Sequence, residues 1–166
     1  MPHWLSVFCA WLKSTPLSQR LQPIEWLVPL VQVIHILAIC AVITSVLIIA
    51  LRLVGFVNRD RSLAQMSARF LPVIWCALPV LLLTGSLLII IEPVRSLGSV
   101  AFQLKMALVA AGIIILLVYQ RALARDPTRW ERPGSRLGAG LVAIVSLLPW
   151  IGIIFAGRWI AYAPGQ

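Results

Sequence analysis

One imidazole, His35, stands inside an apolar run, Trp26 to Arg52, that carries no charged side chain before its last residue. The run is long enough to cross a hydrocarbon core about 30 Å thick. Lipid can satisfy neither ring nitrogen, so His35 needs a partner helix, a cofactor or a trapped water. Lys105 stands near the start of another apolar stretch, Val100 to Gln120, and Glu92, Arg95 and Arg158 fall at the ends of two more. At 1.5 Å per residue these groups share one level, the half of the membrane next to the Glu92–Ser99 connection, and the Lys105 stem can snorkel across small differences.

An imidazole nitrogen suits iron, and cationic side chains suit carboxylates. Two readings follow. In the first, haem b is bound with His35 as an axial ligand and Lys105, Arg95 or Arg158 near the propionates. In the second, His35 hydrogen-bonds to Gln32, Glu92 or a carbonyl across a helix interface, and Lys105 snorkels to the headgroups. The only other histidine is His3, so a bis-histidine haem within one chain is not expected. The sixth position then falls to Met106, Lys105, water or a second subunit.

The elements that must position these residues are four apolar spans, at about 26–50, 70–91, 100–120 and 137–157. They predict an all-α fold, an integral membrane four-helix bundle occupying residues 23–158, with a short tail at 159–166. Residues 1–22 hold Trp4, Leu5, Val7, Phe8, Trp11 and Leu12. That run is too short to span and suits a short helix lying at the membrane interface, followed by a turn near Pro16. Pro23 fits the first turn of the first span and Pro29 predicts a kink there. Pro72 and Pro79 bend the second span.

At helical spacing, the side of His35 also carries Gln32, Ala38, Val42 and Ser45. Lys105 shares a side with Ala101, Gly112 and Tyr119. The second span offers Gly85, and the fourth offers Gly138, Val142, Val145, Pro149 and Gly152. Small residues on inward faces admit a backbone or a flat ring, so the pattern predicts a lined cavity in the outer half of the bundle.

Composition excludes several classes. The chain is 61% hydrophobic and 11% charged, outside the range of soluble domains. Its formal charge of +9 sits mostly in loops, which marks membrane topology rather than a nucleic-acid partner. The loop from Arg52 to Arg69 holds four arginines and that from Arg121 to Arg136 holds five, whereas the N-terminal segment holds Lys13 and Arg20, the second loop Arg95 and the tail Arg158. The positive-inside rule places both termini outside, which for a bacterial inner membrane is the periplasm. Cys9, Cys40 and Cys76 form no CxxC pair, which argues against zinc and a disulfide framework and for small buried hydrophobes. Trp26, Trp130, Trp150 and Trp159 fit an aromatic belt. No Ser/His/Asp arrangement suggests a hydrolase, three Met and two His are few for copper transport, and no charged path crosses the inner half as a channel would need.

The stretch Leu27 to Gly55, with its histidine and its Leu-Arg-Leu-x-Gly exit, resembles the first helix of an uncharacterised family of small four-helix bacterial inner-membrane proteins. That family is similar to the membrane domain of CopD-type copper-resistance proteins and, more distantly, to HemJ-type protoporphyrinogen oxidases. The likeness continues through LPVLLLTGSLLIIIEP and AFQLKMAL. It implies haem on the first-helix histidine and raises His35, Gly85 and Lys105 as cofactor contacts. The chain departs from the pattern at Ala50 and Leu51, where an acidic residue is expected, and at Tyr119-Gln120, where a histidine is often found. Two functions are therefore carried forward: a haem-binding membrane protein in electron transfer or porphyrin chemistry, and a non-catalytic accessory subunit packed against other membrane subunits or a second copy.

Overall fold

The computed structural model describes residues 3–57, 60–132 and 134–162, with the side chains at 95, 96 and 160–162 left outside the description. Arg59, one of the four first-loop arginines, and the last four tail residues also lie outside it. Every regular element among the described residues is an α-helix: α1 (His3–Ser14), α2 (Pro16–Leu21), α3 (Leu27–Leu53), α4 (Leu63–Ile91), α5 (Pro93–Leu97), α6 (Val100–Arg125) and α7 (Arg136–Tyr162). α3, α4, α6 and α7 are each long and apolar enough to cross a membrane.

Helix ends explain where the boundaries depart from the apolar runs. α4 starts at Leu63 rather than near Phe70, because Ser62 caps it. The Ser62 hydroxyl accepts from the Gln65 N–H, and the Gln65 side chain accepts from the Ser62 N–H, which satisfies two otherwise unpaired donors. α3 starts at Leu27, so Pro23 lies before the helix. Pro29 occupies its first turn, where a missing N–H costs no intrahelical bond, and no interior kink is needed. Pro72 and Pro79 do lie inside α4, and Pro149 inside α7.

α3 is the central helix. It packs on α4 and on α7, and α6 packs on α7, whereas the α4 and α6 backbones have no comparable approach. The four spans thus form a ring with one seam, between α4 and α6. Side chains close that seam at one end only. Ser67 Oγ and Tyr119 OH share a buried hydrogen bond of 2.6 Å, and Tyr119 stacks on Trp130 with ring centroids 5.4 Å apart. Beside them Arg52 pairs with Glu131 at 3.0 Å, Glu131 also accepts the Leu63 N–H at 2.6 Å, and Arg52 Nε donates to the Arg61 carbonyl. Glu131 therefore ties the third loop to the start of α4, where a carboxylate is favoured.

The core follows this closure. Val42, Val46, Ile49 and Leu53 of α3 meet Leu63 and Ile74 of α4, Leu116, Tyr119 and Leu123 of α6, and Ala139, Ala143, Trp150 and Ile153 of α7. The buried stripe of α7 is rotated by one residue from the expected face: Gly138 and Val145 are exposed, and a side chain at Gly138 or Gly140 would meet nothing. The apolar area that Trp150 and Ile153 bury alongside Ala139 and Ala143 accounts for this. Trp150 accordingly belongs to the core, not to an interfacial belt. Cys40 and Cys76 are exposed on the outside of the bundle, and only Cys9 is buried.

α1 and α2 dock on the other end of the molecule. Ser18 Oγ donates to the Ile90 carbonyl at 2.8 Å, and Gln22 Nε2 donates to Ser18 Oγ and to the Ile91 carbonyl. These bonds satisfy carbonyls that the C-terminus of α4 leaves unpaired. Leu5 and Cys9 are buried in the docked face, while Trp4, Phe8 and Trp11 form an exposed apolar stripe, the arrangement of a helix resting in the headgroup region.

Candidate functional site

His35 lies on the buried stripe of α3, between Val31 and Ala38, about 12 Å from the start of the helix. Its Nδ1 is 2.7 Å from the Thr84 hydroxyl oxygen of α4, so the partner is neither Gln32, which is exposed, nor Glu92. Thr84 has a single hydroxyl hydrogen, and at 2.6 Å it donates that hydrogen to the Val80 carbonyl one turn back. With that hydrogen on the Val80 carbonyl the hydroxyl accepts from the ring, an arrangement that suits a proton on Nδ1 and, in the neutral imidazole, leaves a lone pair on Nε2. Among the described residues the hydrogen bond to the ring is the one at Nδ1.

Gly85, next to Thr84, explains how the ring sits so close to α4. A Cβ built there would lie 3.5 Å from His35 Cε1, in contact with the ring edge, and any larger side chain would push the imidazole away from Thr84. Lys105 is half-buried, with its Nζ 3.9 Å from where a Cβ on Gly157 of α7 would stand. His35 and Thr84 come from α3 and α4, Lys105 and Gly157 from α6 and α7. These are the two sides of the ring of helices, and the polar groups occupy one level of it.

The level is the open part of the bundle. Gly112, Leu116, Tyr119 and Leu123 are the buried residues of α6, all in its second half, and from Val100 to Ala111 no residue is buried. Only 11% of the most apolar stretch of α6 is buried, against 33% in α3 and in α7. Among the described residues this half of α6 is therefore unburied rather than packed around an enclosed cavity. A small, partly open space of about 20 Å³ is lined by Ile49, Ile74, Gly112, Tyr119, Ser146 and Trp150, room for about one water.

Among the described side chains, Met106 does not converge on His35. Met106 is 49% exposed and, one residue from Lys105, points about 100° away from it. Arg158 is exposed at the end of α7 and is engaged by a neighbour. Arg95 lies in α5 with its side chain outside the described residues. Thr84 is the contact that the residue types alone did not single out. Its signal was its spacing, seven residues before the end of α4, at the depth of His35 on the antiparallel neighbour.

Four apolar spans around a buried core, with polar groups gathered at one level, define a multi-pass integral membrane protein of the helical-bundle class. Residues 27–163 match a family of unknown function, DUF6644, and the chain belongs to it. No curated protein and no solved structure matches the chain.

Proposed function

We propose that this protein binds haem b at the open outer half of the bundle, with His35 Nε2 as an axial ligand and Lys105 as the cation nearest the propionates. The observation that carries the reading is the chain Val80 carbonyl, Thr84 hydroxyl, His35 Nδ1. A ligating histidine is ordinarily oriented through its other ring nitrogen, which sets the tautomer and raises ligand basicity, and this chain of bonds does both. The donor set fits the group: a neutral imidazole for iron and an ammonium for carboxylates. The space near Trp150 is far too small for a porphyrin; the residues that would hold the group are His35, Gly85 and Lys105 at the open half of the bundle. The resemblance of the first and third spans to CopD-type and HemJ-type membrane domains supports the same two positions, His35 and Lys105.

Haem bound there would supply one-electron chemistry. The chain would contribute ligand orientation by Thr84, clearance for the ring at Gly85, and charge compensation at Lys105. Described residues offer one axial ligand, which leaves the other side of the iron to water, to lipid-facing space or to a second subunit. The test is the protein purified in mild detergent from haem-replete cells. A b-type reduced-minus-oxidised spectrum is expected in the wild type, lost in His35→Ala and shifted or weakened in Thr84→Val. Protein free of haem after gentle purification, and unable to take it up, would favour the non-catalytic accessory subunit instead.

A further inference from the structure

On the opposite flank of α3 and α4, away from the seam, the two helices leave an apolar groove. Pro72, Val73, Cys76, Ala77 and Val80 line it on α4, and it faces the stretch of α3 around Ala38. The small side chains Ala38, Cys76 and Ala77 make it concave, and at Pro72 the bulky ring replaces a backbone donor. It is a shallow surface groove, open along its length.

One charged side chain belongs to this groove. At about 100° per residue, Arg69 falls within about 80° of all five α4 lining residues and close to the middle of their stripe. Arg69 is exposed, its guanidinium rests 6.0 Å from the Phe70 ring centroid, and no described carboxylate pairs with it. The helix places it about 33 Å from the Ile91 end of α4, one hydrocarbon thickness away and so at headgroup level on the loop side. From Arg69 to Val80 the groove runs about 16 Å, which matches the roughly 15 Å of one leaflet's hydrocarbon.

We infer that this face is a binding site for one anionic phospholipid, with its phosphate on Arg69 and one acyl chain lying in the groove from Pro72 to Val80. The length match selects a lipid of a single leaflet over a transmembrane helix, which would run past Val80. The unpaired guanidinium selects an anionic headgroup, for which a cation at the membrane surface contributes about 1 kcal/mol.

The experiment is native mass spectrometry of the delipidated full chain mixed with equal amounts of dioleoylphosphatidylglycerol and dioleoylphosphatidylcholine. The wild type should retain one phosphatidylglycerol with a preference of about fivefold, as about 1 kcal/mol implies. Arg69→Gln should bring the preference to near one while still retaining lipid, and Ala77→Phe, which fills the groove, should lose retention of both lipids. Arg61→Gln, which removes an arginine engaged through its backbone carbonyl, should leave the preference unchanged. A second readout does not depend on any groove variant. In Cys40→Ser protein, alkylation of Cys76 by N-ethylmaleimide should be slower in phosphatidylglycerol vesicles than in phosphatidylcholine vesicles. Equal retention of the two lipids by the wild type, a preference that survives Arg69→Gln, or a chain that dimerises through this face without bound lipid would overturn the assignment.

Discussion

The hydrogen bond between Ser67 and Tyr119 carries more than its own energy, because it joins α4 to α6, the two neighbours whose backbones stay apart. Ser67 is wholly buried and Tyr119 is 5% exposed, so breaking the pair leaves a hydroxyl with no water to turn to. Tyr119→Phe keeps the ring on Trp130 and removes only the oxygen. The cost is about 1–3 kcal/mol if the Ser67 hydroxyl stays unpaired, nearer the lower end if it turns to a carbonyl of its own helix. Ser67→Ala should cost a similar amount through the orphaned Tyr119 hydroxyl. The double variant removes both groups, so the two losses should not add, and the interaction energy should be about 1 kcal/mol. In a bundle of this size that corresponds to about 2–4 °C in Tm for each kcal/mol. Thermal unfolding of the four proteins in one detergent gives the cycle directly. Additive losses within about 0.3 kcal/mol would refute the view that this bond is the clasp of the seam.

Three more outcomes follow from the same geometry. Gly112→Ala should destabilise more than Gly152→Ala, because a Cβ at Gly112 meets the rigid Trp150 ring at 3.2 Å while one at Gly152 meets only the mobile end of Leu108, at 2.9 Å; overpacking costs of about 1–3 kcal/mol apply to the first, and comparison of midpoints in denaturant checks the order. Glu131→Gln should speed hydrogen exchange of the Leu63 amide by about tenfold, since the amide loses a charged acceptor at 2.6 Å and Arg52 loses its partner. Thr84→Val, which keeps the side-chain shape, should release the His35 tautomer: in a His3→Gln background, nitrogen NMR of labelled histidine should show Nδ1–H alone with Thr84 present and a mixture in the variant, and a mixture in both would disprove the Thr84 relay.

The spans were legible because apolar length and composition dictate membrane crossing with little help from tertiary structure. The boundary at Leu63 was legible too, since Ser62 and Gln65 spell a capping box, but loop arginines drew attention from it. Faces were harder. The uniformly apolar surface of a span in lipid removes the polar side that normally reveals orientation in a soluble helix, and small residues then mark lipid-facing notches as readily as interfaces. Gly138 and Gly140 were such notches, while Ala139 and Ala143 one residue away were the interface. Gln32 failed for the same reason, sitting exposed one turn from a half-buried His35. Gly85 and Gly112, expected on inward faces, each sit opposite a ring, His35 in one case and Trp150 in the other. The partner of His35 could not come from α3 alone: it required the register of α4, and the seven residues between Thr84 and Ile91 fix that register only once the helix ends are known.

A haem site on His35 is tested most directly by titrating haem into purified wild-type and His35→Ala protein and following the Soret band. Saturation at one haem per chain, with a red-shifted band that is missing in His35→Ala while the variant melts like the wild type, is the result expected. Equal uptake with the same spectrum by both proteins would contradict it.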